Sequence, residues 1–237
     1  MVNHIVIIFS LFFSSTATAD NDPQHPILSE YSATGLTQKE LISRKAAVKV
    51  SDGKGHGSGS LVKFNDKYLV LTAYHVVDGK LGDRYDINSP DGETRSGILV
   101  YKDEDRDIAF LLTHKFKTRI AADYKPTQII PNVGCDILYS GFPSDYDLIT
   151  AKGKVMGYQK NSHGENIIIA QIFGWFGSSG SAVYNEEGIV VGIISGIGSE
   201  HKPMPSILEN VIWITPTISI DHDILSKNIK EFKRKKK

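Results

Sequence analysis

The chain has 237 residues, 41% hydrophobic and 23% charged, with no net charge. That is ordinary globular composition, and the length leaves no room for a large second module. A single cysteine, Cys135, excludes an intramolecular disulfide and reads as a small core hydrophobe.

Residues 1–19 read as an export signal. An uncharged apolar run from Ile5 to Phe13 is followed by Ala17-Thr18-Ala19, a small-residue cleavage pattern before Asp20. The run is short for a bilayer span, although no Lys or Arg precedes it; an uncleaved anchor is the alternative. An exported chain without disulfides suits a bacterial envelope, so a secreted or periplasmic location is expected.

Residues 20–45 form a polar, proline-containing lead-in. Its end predicts a short helix from Thr37 to Ala47, with Thr37 as N-cap and Glu40 at the capping-box position. Strand patterns follow at Ala46–Ser51, Ser60–Phe64, Lys67–Thr72, Gly97–Tyr101, Asp107–Thr113, Cys135–Ser140, Ala151–Tyr158, Asn166–Ile172, Ser181–Tyr184, Gly188–Ile194 and Val211–Thr215. Gly, Asn, Asp and Pro punctuate them, and 21 glycines suit many tight turns. Asp221–Phe232 predicts a terminal helix with Ile224, Ile229 and Phe232 on one face. Many short strands with one terminal helix predict an all-β sandwich or pair of barrels, divided near Asp123–Pro131.

Residues 226–237 form a basic tail of seven cations against one acid, so the rest of the neutral chain carries −6. Such a tail suits an anionic surface or polymer, and equally a solvated terminus. Asp83, Asp86 and Asp91 lack EF-hand spacing and read as a solvated loop. His56, His163, His201 and His222 read as loop or cap residues, and no zinc spacing is present, so no metal or cofactor is expected. Trp175 and Trp213 read as core or pocket-wall aromatics.

Three segments carry the chemistry. Leu71-Thr-Ala-Tyr-His-Val-Val77 ends a strand on a histidine, Asp105-Arg-Asp-Ile-Ala-Phe-Leu111 sets an aspartate before an apolar strand, and Gly177-Ser-Ser-Gly-Ser181 sets a serine in a glycine-flanked turn. A hydroxyl needs a base to take its proton, and that base needs an anion to fix its tautomer and support its charged form. His75 precedes Asp107 by 32 residues, and Asp107 precedes Ser179 by 72.

With Gly57-Ser-Gly-Ser60, Gly141-Phe-Pro143 and Gly188-Ile-Val-Val-Gly192, these segments resemble the trypsin-like (chymotrypsin-fold) serine endopeptidases of bacterial type. The likeness is to the HtrA/Deg protease domain and the glutamyl endopeptidases, over residues 46–225 and slightly beyond. The resemblance implies two antiparallel six-stranded β-barrels with a C-terminal helix. It implies Ser179 as nucleophile, His75 as base, Asp107 as its orienting anion, and an oxyanion hole from the Gly177 and Ser179 N–H groups. Protein or peptide substrates are implied, bound at Phe173, Ile194, Ser195 and Gly196, the last three as a pairing edge.

Two departures qualify it. Ser178 stands where the digestive branch has an aspartate that pairs with a freed N-terminus, so activation by that ion pair is not expected. Ile194 stands where glutamyl endopeptidases carry a histidine, and no acid lies near Phe173; a small or medium apolar residue at the cleavage site is expected. The alternative function is a catalytically silent trypsin-fold binding or scaffold protein.

Overall fold

The structure is a computed structural model that describes residues 35–200 and 206–234. The expected signal segment, His201 and the last three lysines lie outside the described residues. Helix α1 (Gln38–Ala46) opens the fold through the expected capping box: Thr37 Oγ1 accepts from the Glu40 N–H, and the Glu40 carboxylate accepts from the Thr37 N–H.

The first barrel is built from β1 (Ala47–Ser51), β2 (His56–Phe64), β3 (Lys67–Thr72), β4 (Arg84–Asn88), β5 (Thr94–Asp103) and β6 (Ile108–Thr113). Their order is β1-β4-β5-β6-β3-β2, and the β1–β2 pairing closes the ring, every pairing antiparallel. A two-residue strand, β7 (Ala122–Asp123), adds to β2 in parallel. One helical turn, α2 (Tyr74–Val77), leaves β3.

The second barrel closes in the order β10-β13-β12-β11-β8-β9. Its strands are β8 (Asp136–Gly141), β9 (Ile149–Lys160), β10 (Asn166–Gln171), β11 (Ala182–Asn185), β12 (Val190–Glu200) and β13 (Ser206–Pro216). Helix α3 (His222–Arg234) follows and packs on the first barrel through Leu225 and Ile229. The expected pair of six-stranded antiparallel barrels with a C-terminal helix is the observed fold.

Each barrel is filled by its inward residues, with Leu61, Leu69, Leu71, Leu99 and Phe110 in the first and Tyr139, Ile168, Val191 and Ile212 in the second. The seam between them is rich in hydroxyls. Ser43 Oγ donates to Ser140 Oγ at 3.0 Å, and Ser60 Oγ accepts the Ala182 N–H at 3.2 Å.

Several expectations are corrected. Strand β4 escaped the sequence pattern because only Tyr85 and Ile87 turn inward among polar neighbours. The strand expected from Ser60 begins at His56, since glycine-rich sequence conceals a paired strand. Helix α3 buries Leu225 with Ile229 and leaves Ile224 exposed. Cys135 sits half-buried in a turn, outside the core. His222 is not a loose cap: Tyr124 Oη lies 2.9 Å from its Nε2, and the Phe64 ring packs beside it. The first nine residues of the basic tail are helical. Asp83 caps the Lys80 N–H, Asp91 pairs with Arg119, and the described residues hold no acidic or histidine cluster able to bind a metal.

Candidate active site

β3 runs into Ala73 and the α2 turn, placing His75 where the first barrel faces the second. Asp107 ends the turn after β5 and precedes β6; its backbone is left-handed, at φ 57°, a conformation that Asp tolerates better than most residues. Its carbonyl accepts the Tyr74 N–H at 3.2 Å.

The Asp107 carboxylate grips His75 at two points. One oxygen accepts the His75 backbone N–H at 2.8 Å, and the other lies 2.7 Å from Nδ1. A carboxylate has only acceptors to offer, so Nδ1 carries the proton and Nε2 presents its lone pair. Both side chains are about a quarter exposed, His75 at 27% and Asp107 at 23%. The Asp107 turn is also tied across the seam to the β9–β10 turn. Asn161 Nδ2 donates to the Asp105 carbonyl at 3.0 Å, and Arg106 pairs with Glu165 at 3.0 Å.

Ser179 lies in the turn before β11, docked on the first barrel. The Ser58 N–H donates to its carbonyl at 2.8 Å. A Cβ on Gly57 would sit 2.4 Å from Val76 Cγ2 and 3.1 Å from the Ser179 carbonyl. A Cβ on Gly180 would sit 2.3 Å from Thr72 Oγ1 and 2.8 Å from the Ala73 nitrogen. These glycines let the serine turn close onto the residues flanking His75. Ser179 is half-buried, and its Oγ has no hydrogen-bond partner among the described residues.

Gly177 adopts φ +91°, and a Cβ there would meet the Phe142 carbonyl at 2.6 Å. The carbonyls on both sides of it are tied back: Phe176 O accepts the Ser144 N–H at 2.6 Å, and Gly177 O accepts Ser58 Oγ at 2.7 Å. With those oxygens committed, the N–H groups of Gly177 and Ser179 have no acceptor among the described residues. Two unpaired donors beside a free hydroxyl can hold a developing oxyanion.

The expected substrate residues divide. Ile194 does not face the cleft: its side chain is fully buried in the second barrel, its carbonyl accepts the Gly180 N–H, and its N–H donates to Ser181 O. It positions the serine turn instead. A bulge follows it in β12, and beyond Ile193 the edge that faced β11 is unpaired along Ser195 and Gly196. Ile197 extends that edge and was missed. Phe173 is half-buried, its carbonyl held by Tyr139 Oη at 2.9 Å. Gly174 backs onto Ile212, whose Cγ2 lies 2.5 Å from where a Cβ would stand.

Two further residues escaped the sequence reading as members of the site. Ser58, visible only as part of a Gly-Ser-Gly-Ser motif, uses its N–H, carbonyl and hydroxyl: Thr72 Oγ1 donates to its carbonyl, and Phe142 N–H donates to its Oγ. His56 is not a loop residue. It opens β2, and its Nε2 lies 3.1 Å from the Phe142 carbonyl, beside Gly177.

The model of the family described as trypsin-like peptidase domain matches residues 57–193. Among solved structures, the Rv3671c protease of M. tuberculosis H37Rv in its inactive form superposes with a TM-score of 0.60 at 14% identity. The match covers 76% of this chain and 87% of that one. The HtrA-type protease AlgW with a tripeptide superposes with a TM-score of 0.61 at 22% identity, over 76% of this chain and 58% of that one. These likenesses establish the fold. No curated protein matches the chain in sequence.

Proposed function

The chain belongs to the family of trypsin-like peptidase domains, and from that premise we propose that it is a serine endopeptidase working through Ser179, His75 and Asp107. The observation that carries this reading is the two-point grip of Asp107 on His75, which leaves Nε2 as a base. His75 Nε2 takes the proton of Ser179 Oγ as that oxygen attacks the scissile carbonyl. The resulting oxyanion is held by the Gly177 and Ser179 N–H groups. Collapse returns the His75 proton to the leaving amine and leaves an ester on Ser179. Water, deprotonated by the same nitrogen, hydrolyses that ester.

Substrate pairs as an extra strand along Ser195–Ile197. Its side chain enters between that edge and the turn 173–179, beside the half-buried Phe173, where neither residues 173–179 nor residues 194–197 include an acid. This supports cleavage after a small or medium apolar residue. A secreted or periplasmic location is proposed from the signal pattern of residues 1–19, and a mature mass beginning at Asp20 in the envelope fraction tests it.

The test of activity is peptide-library cleavage by the chain from Asp20 to Lys237, beside Ser179→Ala. Cleavage by the unsubstituted protein alone, after small apolar residues, is the expected result. Cleavage by neither protein, with both folded, overturns the reading in favour of a binding scaffold.

A further inference from the structure

The nucleophile turn needs a device to hold it, because Gly177 is left-handed and two carbonyls must stay turned away from the oxyanion position. On the first-barrel side that device is Ser58. On the second-barrel side the turn meets a residue with no assigned role. Tyr139 lies in the middle of β8, paired with Ala151 and Val183, and its ring is fully buried in the barrel. Its hydroxyl reaches the Phe173–Ser178 segment from beneath.

Counting protons fixes the direction of each bond. Tyr139 Oη donates its single proton to the Phe173 carbonyl at 2.9 Å. The 3.3 Å contact between Tyr139 Oη and Ser178 Oγ therefore runs with Ser178 donating. Ser178 Oγ in turn accepts the Trp175 N–H at 3.2 Å. The result is a one-way chain from Trp175 N–H through Ser178 and Tyr139 to Phe173 C=O. Both ends lie on the same loop, and no hydroxyl proton is left over. Ser178 is wholly buried, and its own N–H bonds the Trp175 carbonyl at 2.9 Å, doubling the tie.

We propose that Tyr139 is a positioning residue that, through this closed chain of neutral hydrogen bonds with Ser178, sets the oxyanion turn in its working form. The inference rests on the serine-endopeptidase reading above, and deepens it. Ser178 occupies the position where an ion pair to a new chain terminus was not expected; the chain with Tyr139 fills that need without charge. The turn is then ordered from the moment the second barrel folds, and no processing cut is required to order it. Burial favours this solution, since a charge there would need a buried partner, and burial also keeps the Tyr139 hydroxyl protonated by pushing its pKa upward.

The test uses Tyr139→Phe, which keeps the ring volume and removes one oxygen, with Ser178→Ala as a second variant. Active sites are first titrated with a fluorophosphonate so that rates are counted per reactive serine. Per titrated site, kcat is expected to fall about tenfold in Tyr139→Phe, with KM within about twofold, because donors are displaced and not deleted. Amide exchange at Trp175 and Ser178 is expected to quicken in the same variant. The double variant is expected to lose little beyond Tyr139→Phe, since both break one chain. A merely structural tyrosine would lower the number of titratable sites and leave the rate per site unchanged, and that result overturns the proposal. Unchanged exchange at Trp175 overturns it as well. If the unsubstituted protein takes no label at Ser179, the endopeptidase reading fails, and the exchange comparison alone then decides whether Tyr139 holds the turn.

Discussion

The two halves of the site are held by opposite means. His75, on the first barrel, is fixed by one charged neighbour, Asp107, in a position open enough for both to be about a quarter exposed. The turn of Ser179, on the second barrel, is fixed by neutral groups: the hydroxyls of Ser58, Ser178 and Tyr139 and the Ser144 N–H. The difference follows from what each half must do. A base has to gain and lose a proton, so it needs a permanent anion to support its charged form, and partial exposure keeps that anion affordable to ionise. A turn that only aims two N–H groups needs geometry, and buried hydroxyls supply geometry without the penalty of a buried charge.

The comparison breaks most sharply at the charged half. Asp107→Asn keeps size and shape but offers one acceptor where two are used. With the amide oxygen kept on the His75 backbone N–H, the NH₂ faces Nδ1 and forces the proton onto Nε2. A fall of about 10⁴ in kcat is expected, with the fold intact. Nitrogen NMR of His75 should report the changed tautomer. A loss under about tenfold would show that Asp107 does not set the tautomer at all.

On the neutral half, Gly177→Ala has the next largest effect. Its Cβ meets the Phe142 carbonyl at 2.6 Å while the backbone remains left-handed, so the turn must shift and one donor moves off target. The expected loss is about 10²–10³ in kcat, with little change in KM. Steady-state kinetics on folded variant decide it; equal losses in binding and turnover would place the damage in the substrate edge instead.

Ser58→Ala is milder and sharpens the contrast, because it removes a holder and no donor. Gly177 O and the buried Phe142 N–H each lose a partner. About 1–3 kcal/mol of stability is expected to go, together with about tenfold in kcat. Urea denaturation beside kinetics separates the two. Stability lost with full turnover would mean that the Ser144 N–H and the Ser178–Tyr139 chain orient the turn without Ser58.

The charged half was legible in the sequence, and much of the neutral half was not. His75, Asp107 and Ser179 stand in short segments whose residue types are unusual enough together to name a chemistry. The barrels were legible because short apolar runs bounded by turn residues mark strands such as Lys67–Thr72, whose last four residues are all buried. Strand β4 was not, since its inward residues are only Tyr85 and Ile87. Ile194 was assigned to the pairing edge together with Ser195 and Gly196, but its N–H and carbonyl are already bonded to Ser181 and Gly180, contacts across the fold that the order of residues along the strand does not show. The roles of Ser58, Ser178 and Tyr139 depend on contacts between residues 34 to 119 positions apart. A serine or tyrosine carries no mark of its partner along the chain.

His222 offers the smallest effect and an internal control, being a histidine of the opposite kind from His75. It packs against Phe64 and Tyr124 without a carboxylate hydrogen-bonded to its ring, and burial lowers its pKa from the usual 6.5, opposed by Asp221, a hydrogen bond with the Ile220 backbone and Asp223. The unfolded chain therefore binds more protons than the folded one between the lowered value and 6.5. Stability from this residue is complete above pH 6.5 and is lost as pH falls through the folded pKa. His222→Gln should remove that dependence. Between pH 7.5 and 5.5 the urea midpoint of the unsubstituted protein should fall more than that of the variant. Multiplied by the m-value, the excess should be less than about 1 kcal/mol, because solvent still screens the ring. Turnover per active site at pH 7.5 should be the same in both, since His222 supports α3 and the proposed base is His75. A variant whose midpoint tracks the parent at every pH would remove His222 as the contrast to His75 and assign the acid sensitivity to the carboxylates.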